Sequence, residues 1–225
     1  MSLLLHIDTA VENASVCISK NGELIGIAEN RNQKDHAAWI QPAIQSLVKE
    51  TGYSLKELNA IAVSNGPGSY TGLRVGLATA KGLCYALNKP LITLSTLEVM
   101  TIAALNIPIS NINYYCPLID ARRMEVFTAI YDKSLKAILL PHARIIDENS
   151  FAEQLAGNSI LFFGNGAAKC KPVIQSANAL FEMIEHNASD MIGLAERKMA
   201  TKDYADLAYA EPFYIKDFHT VQPKK

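Results

Sequence analysis

The string Asn65-Gly66-Pro67-Gly68-Ser69-Tyr70-Thr71-Gly72 is the most specific chemical feature of the 225-residue chain. Backbone amides at a helix N-terminus attract anions, so a glycine loop leading from a strand into a helix can cradle a phosphate. The string departs from the phosphate loop, which needs Gly-x-x-x-x-Gly-Lys followed by Ser or Thr. It also departs from the Gly-x-Ser-x-Gly nucleophile elbow, because Pro67 stands where the first glycine should precede Ser69. A structural turn that starts a tightly packed helix is the better of the two readings. Gly164-Asn165-Gly166 repeats the pattern in shorter form.

Asp8 closes the apolar run Leu3 to Ile7, followed by Thr9-Ala10-Val11. Two-metal nuclease chemistry needs several carboxylates converging on ions about 4 Å apart. The end of the fourth predicted strand offers Asn65 where that chemistry wants an acid. A nucleotide-binding loop wants glycine just after the acid so that backbone can approach a phosphate, and none is there. Asp8 is therefore expected to be a turn or cap residue, with no metal to hold. His36 has Ile40 one turn later, so a helical pair of histidine ligands is absent, and His6, His142, His186 and His219 lack companions at ligand spacing. Asp120-Ala121-Arg122-Arg123 could hold a phosphate or RNA through its paired arginines, or form a turn with both side chains in salt bridges. No Ser-His-Asp or Cys-His spacing supports a peptidase. Cys17, Cys84, Cys116 and Cys170 are too scattered for zinc or a disulfide framework and are expected to pack as reduced, apolar side chains.

The elements that must position these residues follow from period and punctuation. Leu3–Thr9, Ala14–Lys20 and Glu23–Glu29 read as strands, the last two joined by Asn21-Gly22, whose residues tolerate the positive φ of a hairpin turn. A helix is expected from Asp35, as N-cap, to Thr51, with Ile40, Ile44, Leu47 and Val48 on one stripe and a bend near Pro42. Then come a buried strand over 60–64, the glycine string, a helix to about Leu87 and a short strand over 91–94. The order βββαβαβ is that of an RNase H-like half, whose sheet mixes an antiparallel meander with parallel crossovers. Laying Ile7-Asp8 on Ile119-Asp120 brings Val16–Ile18 near Phe127–Ile130. It also brings Ile160–Phe163 and its glycines to the place of the fourth strand, which predicts a duplicated α/β fold of two lobes, 1–105 and 106–225. The terminal segment is expected to pack back toward the first lobe.

Small residues organise the helix after the glycine string. Gly72, Gly76, Ala80 and Cys84 recur every fourth residue, and Ala78, Gly82 and Ala86 form a second stripe. Glycine inside a helix costs about 1 kcal/mol relative to alanine, so close backbone approach must compensate on both faces. One neighbour is the lobe's own sheet. The other is the Asp35 helix or a helix of a different protein. In the second case His36, Trp39, Ile40, Ile44, Leu47, Thr71, Gly72, Leu73, Gly76, Leu77 and Ala80 form a docking surface flanked by Arg74 and Lys81.

A net charge of −1 and 19% charged residues advertise no extended nucleic-acid surface. No apolar run approaches the roughly 18–20 residues needed to cross a bilayer, and the N-terminus lacks the basic start of a secretory signal. A cytoplasmic protein is expected.

Several strings in order along the whole chain resemble one family. They are Ile7-Asp8-Thr9, Gly66 to Leu77, Ala80-Lys81-Gly82-Leu83, Ser95-Thr96-Leu97-Glu98, Asp120 to Val126 and Pro212-Phe213-Tyr214-Ile215, and together they resemble the TsaB (YeaZ) family. The resemblance implies an ASKHA (actin-like ATPase) fold and a part in making threonylcarbamoyladenosine in tRNAs that read codons beginning with A. It implies that the chain is not itself the enzyme and needs no cofactor. It further implies pairing with a metal-dependent TsaD transferase through the first lobe's two helices, with a TsaE ATPase joining the pair and tRNA reached only through the complex. Asp8, Thr9, Gly66, Gly68, Ser69, Gly164 and Gly166 would then mark a vestigial nucleotide pocket. An ATP-hydrolysing actin-like enzyme is the alternative, and an exposed helix pair would let the isolated chain form homodimers.

Overall fold

A computed structural model of the protein describes residues 2–32 and 35–216. The end of the second predicted lobe, including His219, lies outside the described residues.

The opening meander forms as its punctuation predicts. β1 (Leu3–Asp8), β2 (Ala14–Lys20) and β3 (Glu23–Asn30) pair antiparallel, and Asn21 and Gly22 turn the chain with φ of 52° and 82°. α1 (His36–Thr51) follows and runs through Pro42. Asp35 precedes it without capping it, because its carboxylate is taken by the Asn32 side-chain amide. β4 (Ala60–Ser64) and β5 (Leu91–Leu94) add in parallel to β1, joined by α2 (Tyr70–Leu87). Ser69 caps α2, its Oγ accepting from the Gly72 N–H at 3.3 Å. The sheet order is β3-β2-β1-β4-β5.

The second sheet repeats this plan. β6 (Tyr114–Asp120), β7 (Glu125–Tyr131) and β8 (Ala137–Ile145) form the meander. The short helix α4 (Ala152–Leu155) leads into β9 (Ile160–Phe163), and a second, α5 (Ala167–Cys170), joins it to the parallel strand β10 (Ala179–Phe181). Its order, β8-β7-β6-β9-β10, matches the first sheet strand for strand.

Two helices cross between the sheets. α3 (Thr96–Leu105) belongs by sequence to the first half, yet Leu97, Met100, Ala103 and Ala104 pack among Ile112, Tyr115, Ile119 and Ala129 of the second sheet. In return, a 3₁₀ turn (Ala188–Met191) and α6 (Ile192–Thr201) bring Met191, Ile192, Leu194 and Ala195 onto Leu4, Ala62 and Ile92 of the first. Each sheet therefore completes its core with apolar side chains from the other half of the sequence, the leucines, isoleucine and methionines each worth about 1.5–3 kcal/mol when fully buried. The segment from Ala205 to Phe213 then returns across the first lobe. Ala205 bridges to Leu91, and Phe213 N–H donates to the Asn65 carbonyl at 2.7 Å.

All four cysteines are free and buried. Among the described residues no helix is long and apolar enough to cross a membrane.

Candidate functional site: a closed glycine loop and an open helix face

The glycine string leaves β4 and turns into α2 against the strand end that carries Asp8. Ser69 N–H donates to the Ala10 carbonyl at 2.7 Å, Thr96 N–H to the Gly66 carbonyl at 2.9 Å, and the Thr9 hydroxyl to the Gly72 carbonyl at 2.7 Å. A β-carbon on Gly68 would meet the Ala10 carbonyl, one on Gly72 the Thr9 carbonyl, and one on Gly66 the Phe213 carbonyl. The glycines thus admit the chain's own backbone. These contacts are those of a structural turn packed against the chain's own backbone.

Asp8 lies fully buried beneath this loop. Its Oδ1 accepts from the Ser64 hydroxyl at 2.6 Å and from Ala10 N–H at 3.0 Å, so it caps the turn as the sequence predicts. Its Oδ2 sits 3.1 Å from His186 Nε2, an ion pair without a sequence signal because the two residues stand at opposite ends of the chain. Burial alone would push the Asp8 carboxyl up, but its contacts with His186, Ser64 and Ala10 hold it below the ordinary carboxylate value. Burial alone would lower the His186 pKa, and the contact with Asp8 outweighs it and leaves it raised. His6, buried against Ser19 Oγ at 2.8 Å, is held neutral by desolvation, which lowers its pKa to about 3.

The seven pocket residues expected from sequence do not assemble into one pocket. Asp8, Thr9, Gly66, Gly68 and Ser69 form the packed cluster just described. Gly164 lines a separate cleft of about 400 Å³ between the lobes, with Val11 and Asn13 on one side and Asn165, Lys171 and His186 on the other. Gly166 is spent on β6, its N–H donating to the Leu118 carbonyl at 2.9 Å. Among the described residues no three His, Cys, Asp or Glu side chains are grouped to hold a metal.

The docking surface expected from sequence divides in two. His36, Ile40, Ile44, Leu47, Gly72, Leu73, Gly76, Leu77 and Ala80 are buried inside the chain, which corrects their assignment to a foreign interface. His36 reaches the Val11 carbonyl at 3.3 Å, and Ile40, Ile44, Leu47, Leu77 and Ala80 join the core over β1 and β4. The Gly72 stripe therefore achieves its close approach against the chain's own first strand. What remains exposed is the second stripe. Thr71, Arg74, Ala78, Gly82, Tyr85 and Ala86 of α2 lie open beside Ala38, Gln41 and Gln45 of α1, with Trp39 and Lys81 half-buried at the margin. Tyr85 is 84% exposed, and a β-carbon on Gly82 would meet nothing within 4 Å.

Arg74 is fixed at the edge of this face, its guanidinium 4.0 Å above the Tyr70 ring and its Nε donating to the Tyr214 hydroxyl at 3.0 Å. Lys81 donates to the carbonyls of Ala208 and Ala210 at 3.2 and 3.0 Å, fastening the terminal segment to the helix. Arg122 and Arg123 occupy a turn, as one of the two sequence readings has it, with φ of 70° and 47°. Neither forms an ion pair among the described residues, which corrects the expectation of salt bridges. Lys169 holds Asp120 instead, at 2.6 Å.

Two sheets of identical strand order, each an antiparallel meander extended by parallel crossovers, define a duplicated RNase H-like α/β protein of the actin-like ATPase type. A family model described as TsaD, tRNA N6-adenosine threonylcarbamoyltransferase, matches residues 12–220. The tRNA threonylcarbamoyladenosine biosynthesis protein TsaB of Escherichia coli is 30% identical over 226 residues, spanning 95% of this chain and 94% of that protein. Its namesake in Bacillus subtilis is 28% identical over 228 residues, spanning 94% and 97%. A crystal structure described as an uncharacterized protein with similarity to peptidase YeaZ, from Pseudomonas aeruginosa, superposes with a TM-score of 0.84 at 25% identity, covering 96% of this chain and all of that one. The chain belongs to the TsaB (YeaZ) family.

Proposed function

We propose that this protein acts in the cytoplasm as the docking subunit of a tRNA-modifying enzyme that makes threonylcarbamoyladenosine, with the chemistry residing on a TsaD-type partner. The observation that carries the reading is the open second stripe of α2. A helix face of alanine, glycine and threonine with one exposed tyrosine lets another helix approach closely, and aromatic and arginine side chains supply the anchors typical of interfaces. The packed glycine loop supports the same reading, since the Ala10 carbonyl takes the Ser69 amide and the Ser69 hydroxyl takes that of Gly72. In this scheme a TsaE-type ATPase joins the heterodimer, tRNA is reached only through the complex, and the isolated chain uses the same face to self-associate.

The test substitutes Gly82, whose β-carbon would point into open space. Gly82→Arg should abolish co-elution with a TsaD-type partner in size-exclusion chromatography while leaving circular dichroism unchanged and the thermal midpoint no lower. Intact pairing in that variant would remove the proposed face.

The inter-lobe cleft favours a second reading, in which the chain binds a nucleotide beside Gly164. Calorimetry with ATP and magnesium separates the two, since stoichiometric binding by the isolated chain would support the enzyme. A peptidase reading meets a packing difficulty, because the Ser69 hydroxyl serves as the cap of α2.

A further inference from the structure

The string Asp120-Ala121-Arg122-Arg123 takes no part in the docking face, and the duplication supplies an internal control for it. Asp8 and Asp120 end equivalent strands, and each Oδ1 accepts from the N–H two residues on, that of Ala10 at 3.0 Å and that of Arg122 at 2.6 Å. In the first lobe the turn is packed away. Asp8, Thr9 and Ala10 are fully buried, and Ser69 N–H takes the Ala10 carbonyl. In the second lobe Arg122 and Arg123 stand exposed where the first has Ala10 and Val11. Alanine suffices to close such a turn, so folding alone gives no reason for two guanidinium groups.

Both arginines also hold left-handed backbone, a region that a β-carbon disfavours and that glycine or asparagine usually fills. The turn beneath them is fixed, with Glu125 N–H donating to the Arg122 carbonyl at 3.1 Å and Lys169 Nζ to the Arg123 carbonyl at 2.9 Å. The acids beside them are matched from other elements. Lys169 of α5 pairs with Asp120, and Lys216 of the terminal segment pairs with Glu125. Beyond β8, Asp147 turns its carboxylate back on the Ser150 hydroxyl and the Asn149 N–H. Glu148 is the remaining acid of that segment, set against two unpaired guanidinium groups and Arg144, which lies over the Phe151 ring. This surface keeps a positive excess although the whole chain carries −1. Neither Arg122 nor Arg123 lines the inter-lobe cleft, so a small anion would find no walls around it there. A polyanion needs none, because arginine forks take phosphate oxygens bidentately and gain affinity by releasing the counterions of a nucleic acid.

We infer that Arg122 and Arg123 contact the phosphate backbone of the tRNA held by the heterodimer. The inference rests on the docking role and adds to it a surface on the second lobe that the α2 face does not include.

The test measures tRNA binding by the purified complex of this chain with a TsaD-type partner, using filter retention between about 50 and 200 mM KCl. Arg122→Gln combined with Arg123→Gln should lower the slope of log affinity against log salt by about 1.4–1.8, which is roughly 0.7–0.9 for each phosphate contact, and weaken binding by more than about tenfold at the lower salt. Arg122→Lys combined with Arg123→Lys should retain the slope, since lysine displaces the same counterions. Circular dichroism and co-elution with the partner should be unchanged in both variants. An unchanged slope in the glutamine variant with pairing intact would overturn the assignment. So would a defect confined to assembly, which would give the turn to an acidic protein surface. Failure of the native chain itself to co-elute would remove the docking role and this contact together.

Discussion

A β-carbon on Gly76 would be driven into the Thr9 hydroxyl, with Val63 and Ile7 methyls at 3.5 and 3.6 Å leaving no room to yield. Gly76→Ala should therefore destabilise the chain by about 1–3 kcal/mol, the usual cost of overpacking a filled core. Gly82, six residues later on the same helix, meets nothing, so Gly82→Ala should stabilise by about 1 kcal/mol through helix propensity alone. Urea denaturation of the two variants reads both signs. The Asp8–His186 pair yields a further residue-level expectation. Removing one partner of a buried pair leaves a lone charge or an empty site, so Asp8→Ala should cost about 3–5 kcal/mol near neutral pH. Because the Asp8 pKa is lowered, its stabilisation is present above the ordinary carboxylate pKa and lost as pH falls through the folded value. Because the His186 pKa is raised, its stabilisation is full below about 6.5 and lost as pH rises through the folded value. Denaturation midpoints measured between pH 5 and 9 should show the alkaline-side loss in the native chain and its absence in Asp8→Ala.

At the scale of elements, the opening meander, β4, α2 and β5 were legible because period, Asn21-Gly22 and the glycine string each act locally. The recipient of α2's small residues was not legible. A four-residue spacing of glycine and alanine says that something approaches closely and leaves open whether it is the chain's own β1 or a foreign helix, and the structure assigns the Gly72 stripe to the former. α3 carries its own signal, since Thr96–Leu105 is apolar on nearly every side, as a helix sandwiched between two sheets must be. The terminal segment is held through carbonyls, which no side-chain pattern encodes. Lys81→Met should loosen it at a cost of about 1 kcal/mol for two partly exposed hydrogen bonds. Limited chymotrypsin digestion would detect the change as faster cleavage near Tyr204 and Tyr209.

At the scale of the whole molecule, the duplication was readable from the offset between Asp8 and Asp120, yet the predicted division into 1–105 and 106–225 is not a division of cores. α3 places Leu97 and Met100 in the second sheet's core and Val99 in the first's, which α6 completes. Such reciprocity cannot be read from a linear pattern, because an apolar helix stripe does not name the sheet it will cover. Its thermodynamic consequence is a single cooperative unit. Fragments cut at residue 105 should each be insoluble or unfolded alone, and calorimetric and van't Hoff enthalpies of the intact chain should agree. Two resolved heat-absorption peaks would contradict this.

The four cysteines extend that point to measurement. Burial raises the pKa of every one, to about 12 for Cys84 and Cys116 and about 11 for Cys170, and Cys17 is raised as well. Thiolates are the reactive species, so the folded chain should be almost inert to maleimides and disulfide reagents. Cys17 and Cys84 report on the first lobe and Cys116 and Cys170 on the second, so the rate at which each acquires an alkyl tag becomes a clock for local opening. A cysteine engineered on the bare helix face would then carry a fluorophore without competition from the native thiols.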